Sequence, residues 1–296
     1  YVPASFENRI KQLMPRNDIG DWAVALVSFY RCHKRLPKRR HGGFNDALFW
    51  LKASGQLKDS LRVRTTDKVL VKGYVKKRVG DKYNVPTLSV LKTIQETQSF
   101  PYPANCAIKP THMSGKVILR TNGAPIDYAE IENWFSTNYY HQCWGWREQN
   151  YKTLSPKVIV EPLIFGREVV EDYKVFCVWG AAKAIQVDLD RHTKHTRCLY
   201  TPNWTLLPYG LCYPVGQGIQ RPRNLDEMLA VAARLAEPFS LVRVDLYTDG
   251  ETVYVGELTH CHGNAQEHVQ PAEKEAEFAE LLFGPDGFDR KCLARC

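Results

Sequence analysis

Apolar and polar residues alternate in the last third of the chain, in the segment RVDLYTDGETVYVGELT at positions 243–259. Apolar side chains at 242, 244 and 246 are separated by polar ones, and a second alternating run follows the turn signal Asp249-Gly250. A period of two is typical of a strand with one buried face, so the pattern predicts a β-hairpin. An odd loop or a bulge would place six residues on one face of this hairpin: Arg243, Asp245, Val253, Val255, Glu257 and Thr259.

Two acids on this face, Asp245 and Glu257, need a physical reason, because valine would suit a strand better. Two carboxylates held close together repel each other, so the arrangement favours a compensating cation. Hard oxygen ligands on adjacent strands suit magnesium. A polar face turned toward solvent explains the same letters, and on the hairpin alone it is the simpler interpretation.

The rest of the chain shows both helical and strand periods. Helices are expected at 22–36, from Asn45 as N-cap to 51, from a cap at Thr66 or Asp67 to a stop at Gly80, at 127–138, at 225–236 and at 272–282. Strands are expected at 106–109, 116–120, 158–163 and 174–178. The chain therefore opens with helices and then mixes strands with helices, with a boundary at the proline-rich stretch 101–103.

Composition limits the classes of protein that fit. The 296 residues are 44% hydrophobic, enough to bury a sizeable core, and no apolar run approaches the roughly 20 residues that cross a bilayer. Nine cysteines are scattered without paired C-x-x-C spacing, which favours reduced thiols. The sequence also begins without a basic and hydrophobic leader. We therefore expect a soluble protein of the cytoplasm with no transmembrane segment.

The net charge of +8 is compatible with nucleic acid, an anionic membrane or an acidic small substrate as partner. The densest basic cluster, RCHKRLPKRRH at 31–41, lacks the interleaved aromatic residues that stack on bases. We expect this cluster to lie in solvent, and we predict no nucleic acid partner.

The segment AIKPTHMSGKVIL places Lys109 at the end of a strand, followed by a loop with Ser114 and Gly115. Such a loop can fold backbone amides over phosphate oxygens while lysine supplies a point charge. An ordinary hairpin turn has the same letters, and the full P-loop spacing is missing.

The segment VEPLIFGREVVEDYKVFCVWG contains a buried strand, a kinked exit at Glu161-Pro162, and a second strand with Asp172 and Lys174 at one parity. Further along, histidine, cysteine and histidine follow one another at 260–262. Consecutive residues at a strand end alternate in direction, so we predict a loop near the substrate there and not a metal site.

The order of these motifs resembles the ATP-grasp superfamily. The phrases DK...GDKYNVP, IKPTHMSG, DYKVFC and VRVDLY...GELT are similar to its TupA-like, teichuronopeptide-synthesis branch, and the resemblance covers residues 44–270. It implies an α+β ATP-grasp fold in which two antiparallel-sheet subdomains sandwich ATP, with a helical N-terminal region. The implied regions are 1–100 on the substrate side, 101–162 as the lid subdomain and 163–296 as the C-terminal subdomain with the magnesium site.

The resemblance also implies roles for individual residues. The catalytic residues are expected to be Arg243, Lys109 and Lys68, and both lysines are expected at the phosphates of ATP. Further nucleotide contacts are expected from Ser114 and Gly115 in the lid loop, from the adenine-binding hinge Glu161, Pro162, Leu163 and Ile164, and from Lys174. Asp245 and Glu257 match the magnesium carboxylates, with Thr259 where many members have asparagine and with Asn264 as a substitute ligand.

These roles imply a carboxylate–amine ligase that uses ATP and Mg²⁺ and forms an amide through an acyl phosphate. The implied acidic substrate is a small molecule or a polysaccharide, such as uronic acid or acidic amino acid groups in polysaccharide biosynthesis, and an amine donor completes the reaction. Arg191, Lys194 and Arg197 are the candidates for binding the acidic group, although a solvated polar loop explains them equally well.

Two other functions fit parts of the pattern. The same cleft could deliver the γ-phosphate to a hydroxyl group, which would make the protein a kinase. A non-catalytic basic protein that binds a polyanion is the other alternative, and it predicts salt-sensitive polymer binding without magnesium-dependent ATP affinity.

Overall fold

The computed structural model describes residues 13–142, 146–167, 170–189 and 194–294. These residues form nine α-helices: α1 Asp18–His33, α2 Phe44–Ala53, α3 Ser60–Thr66, α4 Leu70–Arg78, α5 Ile94–Ser99, α6 Tyr128–Ser136, α7 Tyr139–Gln142, α8 Leu225–Ala236 and α9 Glu275–Phe283. They also form eleven strands: β1 Ser89–Leu91, β2 Cys106–Pro110, β3 Ile118–Arg120, β4 Val158–Glu161, β5 Asp172–Val178, β6 Ala181–Leu189, β7 Thr196–Tyr200, β8 Gly210–Leu211, β9 Val242–Thr248, β10 Val253–Thr259 and β11 Val269–Gln270. The predicted mixture of helices and antiparallel sheets is confirmed.

The larger sheet has five antiparallel strands in the order β10-β9-β5-β6-β7. Its two faces differ because successive side chains point to opposite sides of a strand. Val175 and Cys177 face a core shared with α8 and α4, whereas Phe176 faces a core shared with α2 and α9. The sheet is therefore covered by helices on both sides.

The smaller sheet has four antiparallel strands in the order β1-β4-β2-β3. Its apolar side packs Ile108 and Val160 against Ile131 and Trp134 of α6, in a third core. Since β1 pairs with β4, the sheet begins before residue 101, where the sequence places the start of the lid region. A strand of three residues is too short to give a period that could have been recognised.

The N-terminal helices are part of the large core. Phe44 and Leu48 of α2 pack in the same cluster as Phe176 of β5 and Phe278 of α9. Helix α2 begins one residue before Asn45, and its N-terminal backbone is capped by Asp46, whose carboxylate accepts from Gly43 N at 2.8 Å. The predicted Asn45 cap is therefore wrong. Gly43 is the N-cap, and Asp46, at the third helical position, accepts the hydrogen bond from its backbone N–H.

The acidic hairpin is closed by a four-residue turn at 249–252, and Val253 pairs with Thr248. A bulge at Gly256 then shifts the register, so that Glu257 lies opposite Asp245 and Thr259 lies opposite Arg243. The four polar residues share one face, as predicted. Val253 and Val255, which were predicted on that face, lie on the other side in the core with α8, because the parity changes at the bulge and not at the turn.

No helix among the described residues is both long and apolar enough to span a bilayer.

Candidate functional site

A cleft of about 830 Å³ lies between the two sheets and α4. Residues from six separate parts of the chain line it, between positions 68 and 257. Nine of the predicted site residues are among them: Lys68, Lys109, Gly115, Glu161, Pro162, Leu163, Ile164, Asp245 and Glu257. The structure thus brings the basic and acidic motifs to one cavity, although their individual roles stay predictions.

The basic wall of the cleft is organised around Glu161 at the end of β4. Its buried carboxylate accepts from Lys109 Nζ at 2.9 Å and from Lys72 Nζ at 2.5 Å. Burial alone would raise the pKa of Glu161, but the two lysines hold it below its ordinary value. The carboxylate is therefore ionised and fixes both ammonium groups at the cleft.

Lys72 is a cleft residue that the sequence did not single out. It sits beside Val71 on α4, and a lysine next to an apolar helix stripe usually extends into solvent. The side chain of Glu161 pairs with Lys72 and Lys109, while the predicted part of Glu161 in an adenine-binding hinge stays a prediction. Its partners are far away in sequence, so no local pattern could have indicated them.

Lys68 lies between the β2–β3 loop and the acidic hairpin. Its ammonium group donates to the backbone oxygen of Met113 at 2.6 Å, one residue before Ser114. Burial lowers the pKa of Lys68, while the charge of Glu257 counteracts this effect. Gly115 next to Ser114 is exposed and has φ +71, a conformation that favours glycine. The loop between β2 and β3 therefore reaches the acidic side of the cleft.

The acidic wall is the polar face of the β9–β10 hairpin. Arg243 binds Asp245 in a bidentate pair, with Nε–Oδ1 at 2.6 Å and a second nitrogen to Oδ2 at 2.5 Å. It also donates to the hydroxyl of Thr259 at 3.0 Å and lies 3.6 Å from Glu257. Burial lowers the pKa of Arg243, but Asp245 and Glu257 outweigh this, so the guanidinium stays charged.

The donor atoms on this face suit a magnesium ion. Burial raises the pKa of Asp245, and the opposing effects of Arg243 and Lys174 do not fully compensate, so the carboxylate is short of positive charge. Glu257 lies directly opposite, its pKa is held below the ordinary value mainly by Lys68, and the Thr259 hydroxyl donates to it at 3.1 Å. Two carboxylates and a hydroxyl are hard oxygen ligands, so these residues fit the ion.

A chain of alternating charges continues from Arg243 into the protein. Arg243 donates to His262 Nδ1, and His262 Nε2 contacts Glu267 at 2.9 Å. Glu267 also pairs with Arg197, which donates to Asp188 at 2.6 Å. Burial tends to raise the pKa of Glu267, yet His262 and Arg197 lower it to about 2.

Arg197 is therefore not open to an acidic substrate as predicted. Only 7% of it is exposed, and two carboxylates already match its charge. Lys194 is exposed on the segment before β7, and Arg191 lies outside the described residues. The three predicted substrate cations do not form a common surface among the residues that are described.

Lys174 joins this chain of charged groups through its pairing with Asp188. It lies opposite Asp245 in the sheet, and its ammonium group pairs with Asp172 and with Asp188, the latter at 3.3 Å. Its side chain therefore lies on the same face of the sheet as Asp245 and supplies positive charge beside it. Direct contact between Lys174 and the nucleotide stays a prediction.

The two histidines of the segment 260–262 contact different partners. His260 meets Arg62 at 3.0 Å and Thr65 at 2.8 Å, whereas His262 belongs to the charged chain. The loop that follows, His262–Ala265, brings Asn264 to within 2.5 Å of Lys52 Nζ.

Glu148 is a second residue that sequence reasoning missed. It is buried, its charge interacts with those of Lys52, Glu257 and Arg243, and burial raises its pKa to about 7. It thus extends the polar region beyond the acidic wall, on the side of the N-terminal helices. Its neighbours Gln149 and Asn150 are held by hydrogen bonds to Asp21 and to Thr66.

Comparison with known proteins gives one family. The model of a family described as TupA-like ATPgrasp matches residues 46–282. No curated protein matches the sequence significantly.

Among solved structures, the chain is similar to a D-alanine–D-alanine ligase from Bacillus anthracis, with 16% identity and a TM-score of 0.43 over 75% of this chain and 64% of that one. It is similar to an L-amino acid ligase from Bacillus licheniformis, with 14% identity and a TM-score of 0.44 over 84% of this chain and 56% of that one. It is also similar to the ATP-grasp ligase PsnB complexed with a minimal precursor, Mg and ADP, with 11% identity and a TM-score of 0.39 over 73% and 58% of the two chains. The chain spans less than two thirds of the length of each of these ligases.

Proposed function

Since the chain belongs to the TupA-like ATP-grasp family, we propose that it is an ADP-forming ligase that joins an acidic carboxylate substrate to an amine. The family match confirms the resemblance drawn from the motifs. The activity, the metal and the substrates are the parts that we propose. The cleft between the two sheets is the proposed site of the reaction.

ATP binds in this proposal with its adenine at the apolar end of the cleft. Leu163 and Ile164 line that end together with Val71 of α4 and Tyr247 of β9. The phosphates lie toward Lys68 and Lys109, whose ammonium groups supply positive charge. The loop with Ser114 and Gly115 closes over the phosphates and excludes water.

Asp245, Glu257 and Thr259 are the residues that would hold magnesium. When bound there, the ion supplies positive charge that neutralises the β- and γ-phosphates during transfer. Arg243, held by Asp245 in a fixed orientation, would supply positive charge near the transferred γ-phosphate.

The reaction itself has two steps. An oxygen of the substrate carboxylate attacks the γ-phosphorus, the bond to the β-phosphate oxygen breaks, and ADP leaves. The amine nitrogen then attacks the carbonyl carbon of the acyl phosphate, loses a proton, and releases inorganic phosphate. Because the acyl phosphate reacts readily with water, closure of the lid loop protects it.

The acidic substrate is proposed to enter from the side of the N-terminal helices. Lys52 and Arg243 supply positive charge there, and Glu148 supplies a carboxylate that attracts an amine. The net charge of +8 favours an acidic partner over a neutral one. A uronic acid or an acidic amino acid group of a polysaccharide meets these requirements.

The single observation that carries this proposal is the convergence of Lys68, Lys109, Asp245 and Glu257 on one cleft. Buried charged groups whose pKa values are shifted by desolvation and by specific charge partners cluster at functional sites, and Lys68, Asp245 and Glu257 are groups of this kind. A polyanion-binding surface would need exposed basic groups, and the cleft has as many acids as lysines among these four.

The proposal is tested by measuring ADP and phosphate release from Mg-ATP with pooled carboxylates and amines. We expect release that depends on both substrates, and a hydroxamate when hydroxylamine replaces the amine. A stable phosphorylated product without free phosphate would show a kinase instead. No magnesium-dependent ATP affinity, together with salt-sensitive polymer binding, would show a non-catalytic polyanion binder.

A further inference from the structure

Three side chains with metal-binding atoms meet away from the cleft, where the end of α1 touches the segment after the His262–Ala265 loop. Cys32, His33 and His268 each offer one such atom, and these atoms all lie within 4.8 Å of one another. The thiol of Cys32 is 3.1 Å from Nε2 of His268. In a tetrahedral zinc site, sulfur and nitrogen ligands are separated by about 3.6 Å. A small increase in the distance between the Cys32 thiol and His268 Nε2 would therefore admit an ion.

A backbone hydrogen bond holds the ring of His33. Its Nε2 is 2.8 Å from the backbone oxygen of Ala265, which makes Nε2 the protonated nitrogen. Nδ1 is then the nitrogen whose lone pair is available to a cation. A metal-bound histidine commonly donates its second ring N–H to a carbonyl in this way, because the bond fixes the ring.

The surroundings favour a cation. Cys32 and His33 occupy the last turn of a helix of 16 residues, where the helix dipole is negative. His268 is exposed and Cys32 is half-buried, which leaves a path for an ion to enter.

A further cysteine, Cys212, lies next to His268 in the fold. The backbone N–H of Cys212 donates to the oxygen of His268 at 2.8 Å, so the two residues lie opposite each other beyond the β8–β11 pair. One or two thiols with two imidazoles form a donor set that selects zinc over calcium or magnesium.

We propose that Cys32, His33 and His268 bind a zinc-class divalent ion, with Cys212 or water at the fourth position. The ion ties the end of α1 to the segment that carries His262, Asn264 and Glu267. It therefore steadies the loop His262–Ala265, whose first residue accepts a hydrogen bond from Arg243 of the acidic wall. The site is separate from the oxygen ligands proposed for magnesium.

The full-length chain, stripped with a chelator and titrated with Co²⁺ in reductant, tests this site. We expect one cobalt per chain with a thiolate-to-metal absorption band, displaced by zinc. Cys32→Ser and His268→Ala should each lose the band and weaken metal affinity by at least about 100-fold. Cys292→Ser, at an exposed cysteine outside the cluster, is the matched control and should bind cobalt like the natural chain.

A second readout distinguishes lost ligation from lost folding. Excess zinc should raise the thermal midpoint of the natural chain and of Cys292→Ser by about 5 °C, and it should leave Cys32→Ser and His268→Ala unchanged. Both readouts are independent of ATP turnover. Absence of the band in the natural chain, equal binding by all four proteins, or a Cys32–Cys212 disulfide in place of bound metal would overturn the proposal.

Discussion

Among single residues, Arg243 is a cation that interacts with both carboxylates of the acidic wall. It donates two hydrogen bonds to Asp245, and it lies 3.6 Å from Glu257 without donating a hydrogen bond to it. A third of the Glu257 side chain remains exposed to the cleft. Of the two acidic side chains, Glu257 is therefore the one that is more accessible to a bound cation. Loss of its charge should have little effect on the packing of the hairpin.

Replacement of Glu257 by glutamine tests this role, because the amide keeps the shape and removes the charge. We expect ATP turnover to fall by roughly 100-fold or more, since charge stabilisation in the transition state is lost. The thermal midpoint should stay within a few degrees of that of the natural chain. Glu251→Gln, in the exposed turn of the same hairpin, should change neither value.

Turnover assays and thermal denaturation on the same preparations provide the measurements. If Glu257→Gln unfolded but its folded fraction kept full specific activity, Glu257 would be structural and the metal assignment wrong.

Lys109 offers a test of the opposite wall. In Lys109→Ala, Glu161 keeps its bond to Lys72, so the sheet is preserved while one phosphate contact is removed. A charged hydrogen bond contributes about 1.5–3 kcal/mol, which predicts roughly 10- to 150-fold weaker binding of ATP. Lys92→Ala, at an exposed lysine just after β1, should bind ATP normally. Titration calorimetry measures both constants, and equal affinities would contradict the role of Lys109.

Local sequence could reveal some site residues and not others. Asp245 and Glu257 interrupt strand patterns, so they are visible as exceptions. Lys72 and Glu161 are 89 positions apart, and Arg197 and Glu267 are 70 apart. Pairs of this kind are recognisable only after the sheets have formed, which explains why Lys72 was missed and Arg197 was assigned to a substrate.

At the scale of elements, the bulge at Gly256 gives the hairpin its function. It moves Glu257 onto the face of Asp245, while Val255 just before it stays in the core. A side chain at 256 would meet the ring of Tyr247 at 2.6 Å, closer than real contacts allow. Glycine is thus required where the strand changes parity.

Gly256→Ala should therefore destabilise the protein by about 1–3 kcal/mol, because the tyrosine ring or the strand must shift. Gly73→Ala is a matched control, since its new methyl group would have only ordinary contact, at 3.6 Å from Arg64. In the interior of α4 that change should stabilise by about 0.5–1 kcal/mol. Urea denaturation gives both values, and equal effects of the two substitutions would refute the requirement for glycine at the bulge.

Long periodic elements were predictable and short ones were not. Helix α8 was expected at 225–236, and its observed bounds are the same because six buried side chains follow the helical period. Strand β1, with three residues, and the bulge within β10 depend on pairing with distant strands. Hydrogen bonds to distant strands determine such features, so the local pattern of apolar and polar residues cannot predict them.

At the scale of the whole molecule, two sheets with separate apolar cores meet along one charged cleft. The large sheet is held by cores on both faces, whereas the small sheet has its own core with α6. Lys109 and Glu161 belong to the small sheet, and Asp245 and Glu257 belong to the large one. One ligand that contacts all four would therefore link the two sheets.

A crystal structure with Mg²⁺ and a non-hydrolysable ATP analogue tests that central claim most directly. We expect adenine beside Leu163 and Ile164, and a triphosphate between the lysines Lys68 and Lys109 on one side and the acidic pair Asp245 and Glu257 on the other. Density for the nucleotide elsewhere, or bound nucleotide with the acidic pair turned away from its phosphates, would contradict the account.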